Sequence, residues 1–212
     1  MNMEPMNNLL KPSEIKILEN LIGDELYSYQ YDELMANGNQ IFEVIGLMAK
    51  KGIVILDNEV IWMDNYFSGG DYIPHLKITK AKSVEVLHIS EPSGKLIVSS
   101  VKEKIKEILL VQDHIKILEN GNLHQYWDST EGVILRTESK DCAFYKENTW
   151  LDENMNVYKG HDVLSKLEPL EKHWNVFAKP FCAFAERKLV SLSTGEEKLL
   201  GTCKIAGEDC GD

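Results

Sequence analysis

Ile108-Leu109-Leu110-Val111-Gln112, Asp113-His114, Ile115-Lys116-Ile117-Leu118-Glu119, Asn120-Gly121-Asn122, Leu123-His124-Gln125-Tyr126-Trp127: the reading of this stretch decides the fold. Short apolar runs rich in β-branched and aromatic residues are stopped by polar residues and by a glycine-containing turn. Such runs suit strands. Turns of so few residues join only antiparallel neighbours. The same punctuation runs from Ile41 to Asn148, at Lys50-Lys51-Gly52, Asp57-Asn58, Ser68-Gly69-Gly70-Asp71, Glu91-Pro92-Ser93-Gly94, Ser129 to Gly132 and Lys140-Asp141. It predicts strands at Phe42 to Ala49, Ile53 to Leu56, Val60 to Met63, Leu76 to Thr79, Val84 to Ile89, Leu96 to Ser99, Ile108 to Gln112, Ile115 to Leu118, Leu123 to Trp127, Val133 to Thr137 and Cys142 to Tyr145.

Outward from this run the pattern changes. Pro12-Ser13-Glu14 offers a helix start, and Ile15, Leu18, Leu21 and Ile22 recur at helical spacing up to Gly23. Tyr27 to Met35 reads as a short helix or a strand, closed by Asn37-Gly38-Asn39. Ser100 with Glu103 resembles a capping box, so Val101 to Leu109 reads as a helix as well as a strand. After Asn148, Asp162 caps a short helix through Val163, Leu164 and Leu167, which Pro169 restricts. Asn175 to Glu186, Leu189 to Ser193 and Lys198 to Ile205 read as strands, with a turn at Ser193-Thr194-Gly195-Glu196. Ile-Lys-Ile-Leu-Glu-Asn occurs twice, at Ile15 to Asn20 and Ile115 to Asn120, with flanks that predict helix for the first copy and strand for the second. The expectation is one α+β domain over residues 11–206, dominated by an antiparallel sheet as a meander or partly closed barrel. It has an N-terminal helix and a short C-terminal helix, with a possible subdivision near 148–160. Residues 1–10 and 207–212 are expected to be flexible.

A chain of 212 residues, 43% apolar and 27% charged, is long enough to bury a sizeable core. No apolar stretch approaches the roughly 20 residues of a membrane span, and Met1 to Leu10 lacks the build of a secretory leader, so a cytoplasmic protein is expected. Cys142, Cys182, Cys203 and Cys210 are irregularly spaced, which suits free thiols in a reducing compartment. The net charge of -11 disfavours nucleic-acid binding and favours a protein partner with a basic surface.

Two constellations carry candidate chemistry. Asp57, Glu59, Asp64 and Asp71 surround Trp62, Tyr66, Phe67 and Tyr72, making an acidic and aromatic candidate for a protein-binding surface. Asp128, followed by Glu138-Ser139-Lys140, has the acid and acid-x-lysine pattern of metal-dependent nucleases. There the acids hold a divalent cation, and the lysine orients the attacking water. Hairpin-turn chemistry competes with this second reading. The six histidines lack metal-ligand spacing, Cys203 and Cys210 with His173 or His161 are too irregular for a zinc finger, and no glycine-rich phosphate loop is present. No cofactor is expected.

Glu19, Ile22-Gly23, Leu26, Tyr31, Leu34 and Asn37-Gly38 resemble the opening helices of the SUKH superfamily, many of whose members are bacterial toxin-immunity proteins. The resemblance spans about a tenth of the chain and implies no functional residues. The function expected is therefore a non-enzymatic, acidic protein-binding module of immunity or inhibitor type, with a metal-dependent hydrolase as the alternative.

Overall fold

A computed structural model describes residues 6–36, 39–41, 44–63, 71–83, 95–146, 154–174 and 181–206. Among these described residues thirteen strands and two α-helices follow in order: β1 Met6–Asn8, α1 Pro12–Glu19, β2 Glu25–Ala36, β3 Asn39–Ile41, β4 Val44–Ala49, β5 Gly52–Met63, β6 Asp71–Ala81, β7 Lys95–Lys104, β8 Glu107–Glu119, β9 Asn122–Arg136, β10 Asp141–Lys146, β11 Met155–Gly160, α2 Leu170–His173, β12 Phe181–Ser191 and β13 Glu197–Ala206. The class is mainly β rather than α+β.

The first sheet runs β11-β10-β9-β8-β12-β13, with β1 parallel to β9 over Trp127 to Ser129. The second runs β3-β2-β4-β5-β6, with β7 on the other side of β2. Among the described residues every pairing except β1 with β9 is antiparallel. The chain passes from the second sheet to the first at Ile105-Lys106. Ile105 is fully buried there, and its backbone pairs with Gly23 and Asp24.

The main core contains Leu26, Leu47, Leu56 and Ile78 from the second sheet and Ile108, Leu110, Val133 and Phe144 from the first. Leu18 of α1 joins it. The helix is pinned by Glu14, which accepts from its own Lys11 N–H at 2.7 Å and from the Ile78 N–H of β6 at 3.1 Å. Alternation along β8 sends Leu109, Val111, Ile115 and Ile117 to the other face. There they form two smaller clusters under residues 163–174, one with Val163 and Leu167, the other with Leu170 and Trp174. That segment, a 3-10 turn followed by α2, acts as a cover on the outer face of the first sheet.

Three expected interruptions are not turns. Asp57-Asn58 lies inside β5, Asp113-His114 inside β8, and Ser129 to Gly132 inside β9. Asn58, Asp113, Ser129, Thr130 and Glu131 are all buried, so turn-like composition here marks polar groups held in the interior. Val101 to Leu109 is not a helix: it is shared between β7 and β8. Tyr27 to Met35 lies within β2, where the SUKH likeness implies helix. Met6 to Asn8, within the segment expected to be loose, pair with β9, and β11 continues the first sheet across the suggested subdivision. Cys182 is disulfide-bonded, against the expectation of four thiols; Cys142 and Cys203 are free.

Other expectations hold. Asn120 and Gly121, at φ 49° and 78°, make the two-residue turn between β8 and β9. The repeated hexapeptide is helical at Ile15 and extended at Ile115, because tertiary context overrides propensity in a short run. The expected strand Val84 to Ile89, the turn at Glu91 to Gly94, residues 64–70 and the tail 207–212 lie outside the described residues. Among the described residues no helix is long and apolar enough to cross a membrane.

Gly132 shows how tightly the sheet closes. A Cβ there would sit 2.6 Å from the Phe144 carbonyl oxygen and 3.0 Å from the Tyr145 Cα. Gly132→Ala is expected to cost about 1–3 kcal/mol in urea unfolding, because backbone on both sides must move.

Candidate functional site

The site grows from a bulge. Val111 pairs with Gly132 and Gln112 with Thr130, so Glu131 is an extra residue in β9. A bulge re-aims its side chain and is common where a sheet carries function. On one edge β9 pairs with β10 up to Gly132 and with β1 from Ser129, so Glu131 sits where that edge changes partner.

The Glu131 carboxylate is fully buried and lies between two cations. His173 Nε2 of α2 is 2.7 Å from Glu131 Oε2, and Lys146 Nζ of β10 is 3.3 Å from Oε1. Oε1 gains that charge contact without hydrogen-bond geometry. Lys146 also donates to Ser129 Oγ at 3.0 Å and to the Pro74 carbonyl of β6 at 2.9 Å, which ties the network to the second sheet. Asn8 of β1 donates to the same two oxygens, and its own Oδ1 lies 2.7 Å from His75 Nδ1.

Next to Glu131, Asp113 lies opposite Arg187 in the β8–β12 register. Arg187 Nε and Nη2 reach the two carboxylate oxygens at 2.7 and 2.6 Å, and Trp174 Nε1 donates to Oδ2 at 2.7 Å. Arg187 Nη1 also donates to the Glu168 carbonyl at 2.6 Å, and the guanidinium lies 5.3 Å from the centre of the Tyr145 ring. His173 Nδ1 faces Glu168 Oε2 at 3.2 Å. Asp113, Glu131 and Glu168 thus meet Lys146, Arg187 and a protonated His173, and Lys172 reaches Glu168 from the solvent side at 2.8 Å.

The ionisation states follow from these neighbours. Burial pushes the Glu131 carboxyl up, but Lys146 and the His173 hydrogen bond outweigh it and hold it below the usual carboxylate range. Burial opposes a charge on His173, yet hydrogen bonds to Glu131 and Glu168 raise its pKa above 6.5. Burial and nearby Lys146 lower that of His75. Desolvation raises the buried Tyr145 phenol well above 10.

Asp113, Glu131 and His173 bring one donor atom each within 4.8 Å of one another, a spacing that a metal ion accepts. Their donors are already engaged. Arg187 and Trp174 occupy both oxygens of Asp113, and both ring nitrogens of His173 face carboxylates. A cation entering here would meet Lys146 and Arg187 at contact range. The arrangement is an internal ion-pair network, not an open coordination site.

Residues singled out from sequence fall elsewhere. Asp128 touches His114 across the β8–β9 pair. Glu138 is exposed in the loop after β9, and Lys140 lies 3.9 Å from Glu103, which is also bonded by Thr137 and Ser139. Asp128 and the end of β9 at Arg136 are eight residues apart on one strand, roughly 26 Å at the usual rise. The structure therefore does not bring Asp128 together with Glu138 and Lys140.

In the acidic and aromatic group, alternation along β5 puts Asp57 and Glu59 on one face and Trp62 on the other. Glu59 is paired with Lys77 at 2.6 Å. Trp62 packs edge-on against Tyr72, its cross-strand partner on β6, with ring centres 5.0 Å apart. Asp71 opens β6. Asp64, Tyr66, Phe67 and the Asp71 side chain lie outside what is described.

Most of the network was missed from sequence. Its signal is a charged residue on the buried parity of an apolar strand: Asp113 among Leu109, Val111, Ile115 and Ile117, and Arg187 among Ala183, Ala185 and Leu189. The fold and site define a mainly antiparallel, two-sheet β protein with a buried charge network. No family model, no curated protein and no solved structure matches the chain.

Proposed function

We propose that the chain is a non-enzymatic protein-binding module of inhibitor or immunity type, which docks a partner with a basic surface. The observation that carries this reading is the Trp62–Tyr72 pair, whose members are 54% and 51% exposed on neighbouring strands. Large aromatics at such exposure are the side chains that anchor protein interfaces. The net charge of -11 supports a basic partner, since the network holds at least as many cations as carboxylates and the negative excess lies outside it. The engagement of Asp113, Glu131 and His173 with one another, and the separation of Asp128 from Glu138 and Lys140, favour binding over hydrolysis.

The test is capture of partners from the native host by the intact chain. Trp62→Ser with Tyr72→Ser is expected to weaken the captured complex at least about 30-fold, a loss of about 2 kcal/mol or more, with the urea midpoint nearly unchanged. Asp57→Lys, Asp64→Lys and Asp71→Lys together are expected to slow association and abolish its salt dependence. A partner set indifferent to both changes overturns the proposal. So does a rise in melting temperature with magnesium, manganese or zinc, because a ligand of the folded state must stabilise it.

A further inference from the structure

The network contains two buried histidines held in opposite states. Carboxylates only accept hydrogen bonds, and both nitrogens of His173 face one, Glu131 at 2.7 Å and Glu168 at 3.2 Å. That geometry requires the imidazolium. His75 is the reverse case. Asn8 spends its Nδ2 on Pro74 and Ser129, so its Oδ1 accepts from His75 Nδ1, and His75 Nε2 is buried with no hydrogen-bond partner among the described residues. A second proton there would be a buried, unpaired charge.

We propose that the network is a two-ended pH device: it is whole only while His75 is neutral and His173 is charged. A second proton, on His75 Nε2, is a buried charge that reaches water only by parting β1 from β6; deprotonating His173 unlatches the 163–174 cover from β9. The surroundings of each ring set the direction. His75 faces Asn8 of β1, with Lys146 of β10, Glu14 and Lys11 at α1, and Glu59 of β5 nearby, and Lys146 opposes a further positive charge. His173 faces Glu131 of β9 and Glu168 of its own segment, with Asp113 of β8 nearby. Tyr145 of β10 lies against its ring, with centres 5.2 Å apart, and Arg187 of β12 lies beyond Tyr145. Trp174, bonded to Asp113, the Arg187 bond to the Glu168 carbonyl and Lys166, 3.4 Å from the Lys159 carbonyl of β11, also anchor the cover.

The signs differ at the two ends. A folded-state pKa raised above 6.5, as for His173, gives stabilisation that is complete below 6.5 and lost as the pH rises through the raised value. A lowered one, as for His75, gives stability that is whole above 6.5 and lost as the pH falls through the lowered value. Their sum is greatest near 6.5 and falls on either side.

The experiment is an NMR titration of the histidine rings in the intact chain from about pH 5 to about pH 9.5, beside limited proteolysis at each pH. His75 is expected neutral and His173 charged at neutral pH. Cleavage within 163–174 is expected to rise at least about tenfold between neutral pH and the alkaline end, relative to His173→Gln, in which that rise is absent. His75→Gln is expected to remove the acid limb of the urea midpoint only. A neutral His173 or a charged His75 at neutral pH in the unaltered chain overturns the proposal, whether or not either variant folds.

Discussion

Glu131→Ala is expected to lower the stability of the chain by about 3–5 kcal/mol, the largest effect of any single substitution in the network. The reason is what it leaves behind. Lys146 is 1% exposed and His173 3%, so neither cation can turn to water when the carboxylate is lost. Lys146 is left buried without the carboxylate that faced it, and His173 keeps only Glu168, on its other ring nitrogen, so the loss costs more than the pair contributes. The bulge loses its purpose as well, since the re-aimed side chain is what joins the cover to the second sheet. The check is a urea unfolding curve at neutral pH, in which the midpoint should fall while the slope stays constant. A loss under about 1 kcal/mol would show that the two cations find other partners.

Asp113→Ala is expected to act nearly as strongly, at about 3–5 kcal/mol, through a different cation. Arg187 cannot deprotonate to escape burial, and it would keep only the Glu168 carbonyl as a described hydrogen-bond acceptor. Trp174 loses its acceptor too. Removing both partners together should be far milder. Asp113→Leu with Arg187→Met replaces a buried pair by apolar side chains of similar reach, an exchange that other proteins tolerate with little loss or with a gain. A double variant as unstable as Asp113→Ala would mean that the pair does more than neutralise itself.

Much of the strand content was legible, and the reason is chemical. Asn120-Gly121 reads as a turn because its residues tolerate positive φ, and Ser193 to Glu196 reads as one because Gly195, at φ 71°, supplies it. Asp57-Asn58, Asp113-His114 and Ser129 to Gly132 share that polar composition but lie in extended strands. Composition reports polarity, whereas the choice between turn and strand interior depends on whether a distant partner satisfies the polar group. Asn58 donates to the Asn154 carbonyl and Asp113 binds Arg187, partners 96 and 74 residues away. No local window contains that information.

The candidate site was less legible for the same reason. Asp128, Glu138 and Lys140 were selected by spacing along an assumed hairpin, and the hairpin dissolves once Ser129 to Gly132 becomes the bulged middle of β9. The residue that matters, Glu131, lies inside the stretch read as a turn. Trp62 and Tyr72 were singled out by residue type alone; their exposure, and the β5–β6 register that sets them side by side, are visible only in the fold. Their acidic neighbours were not separable from them by sequence, since only the strand parity puts Asp57 and Glu59 on the opposite face.

The central claim is that Lys146 and His173, one bound to the second sheet and one in the cover, are joined through Glu131 into one unit. A double-mutant cycle with Lys146→Met and His173→Gln, read by urea unfolding at neutral pH, measures that directly. The account predicts an interaction energy of at least about 1 kcal/mol; losses that add within about 0.3–0.5 kcal/mol would contradict it.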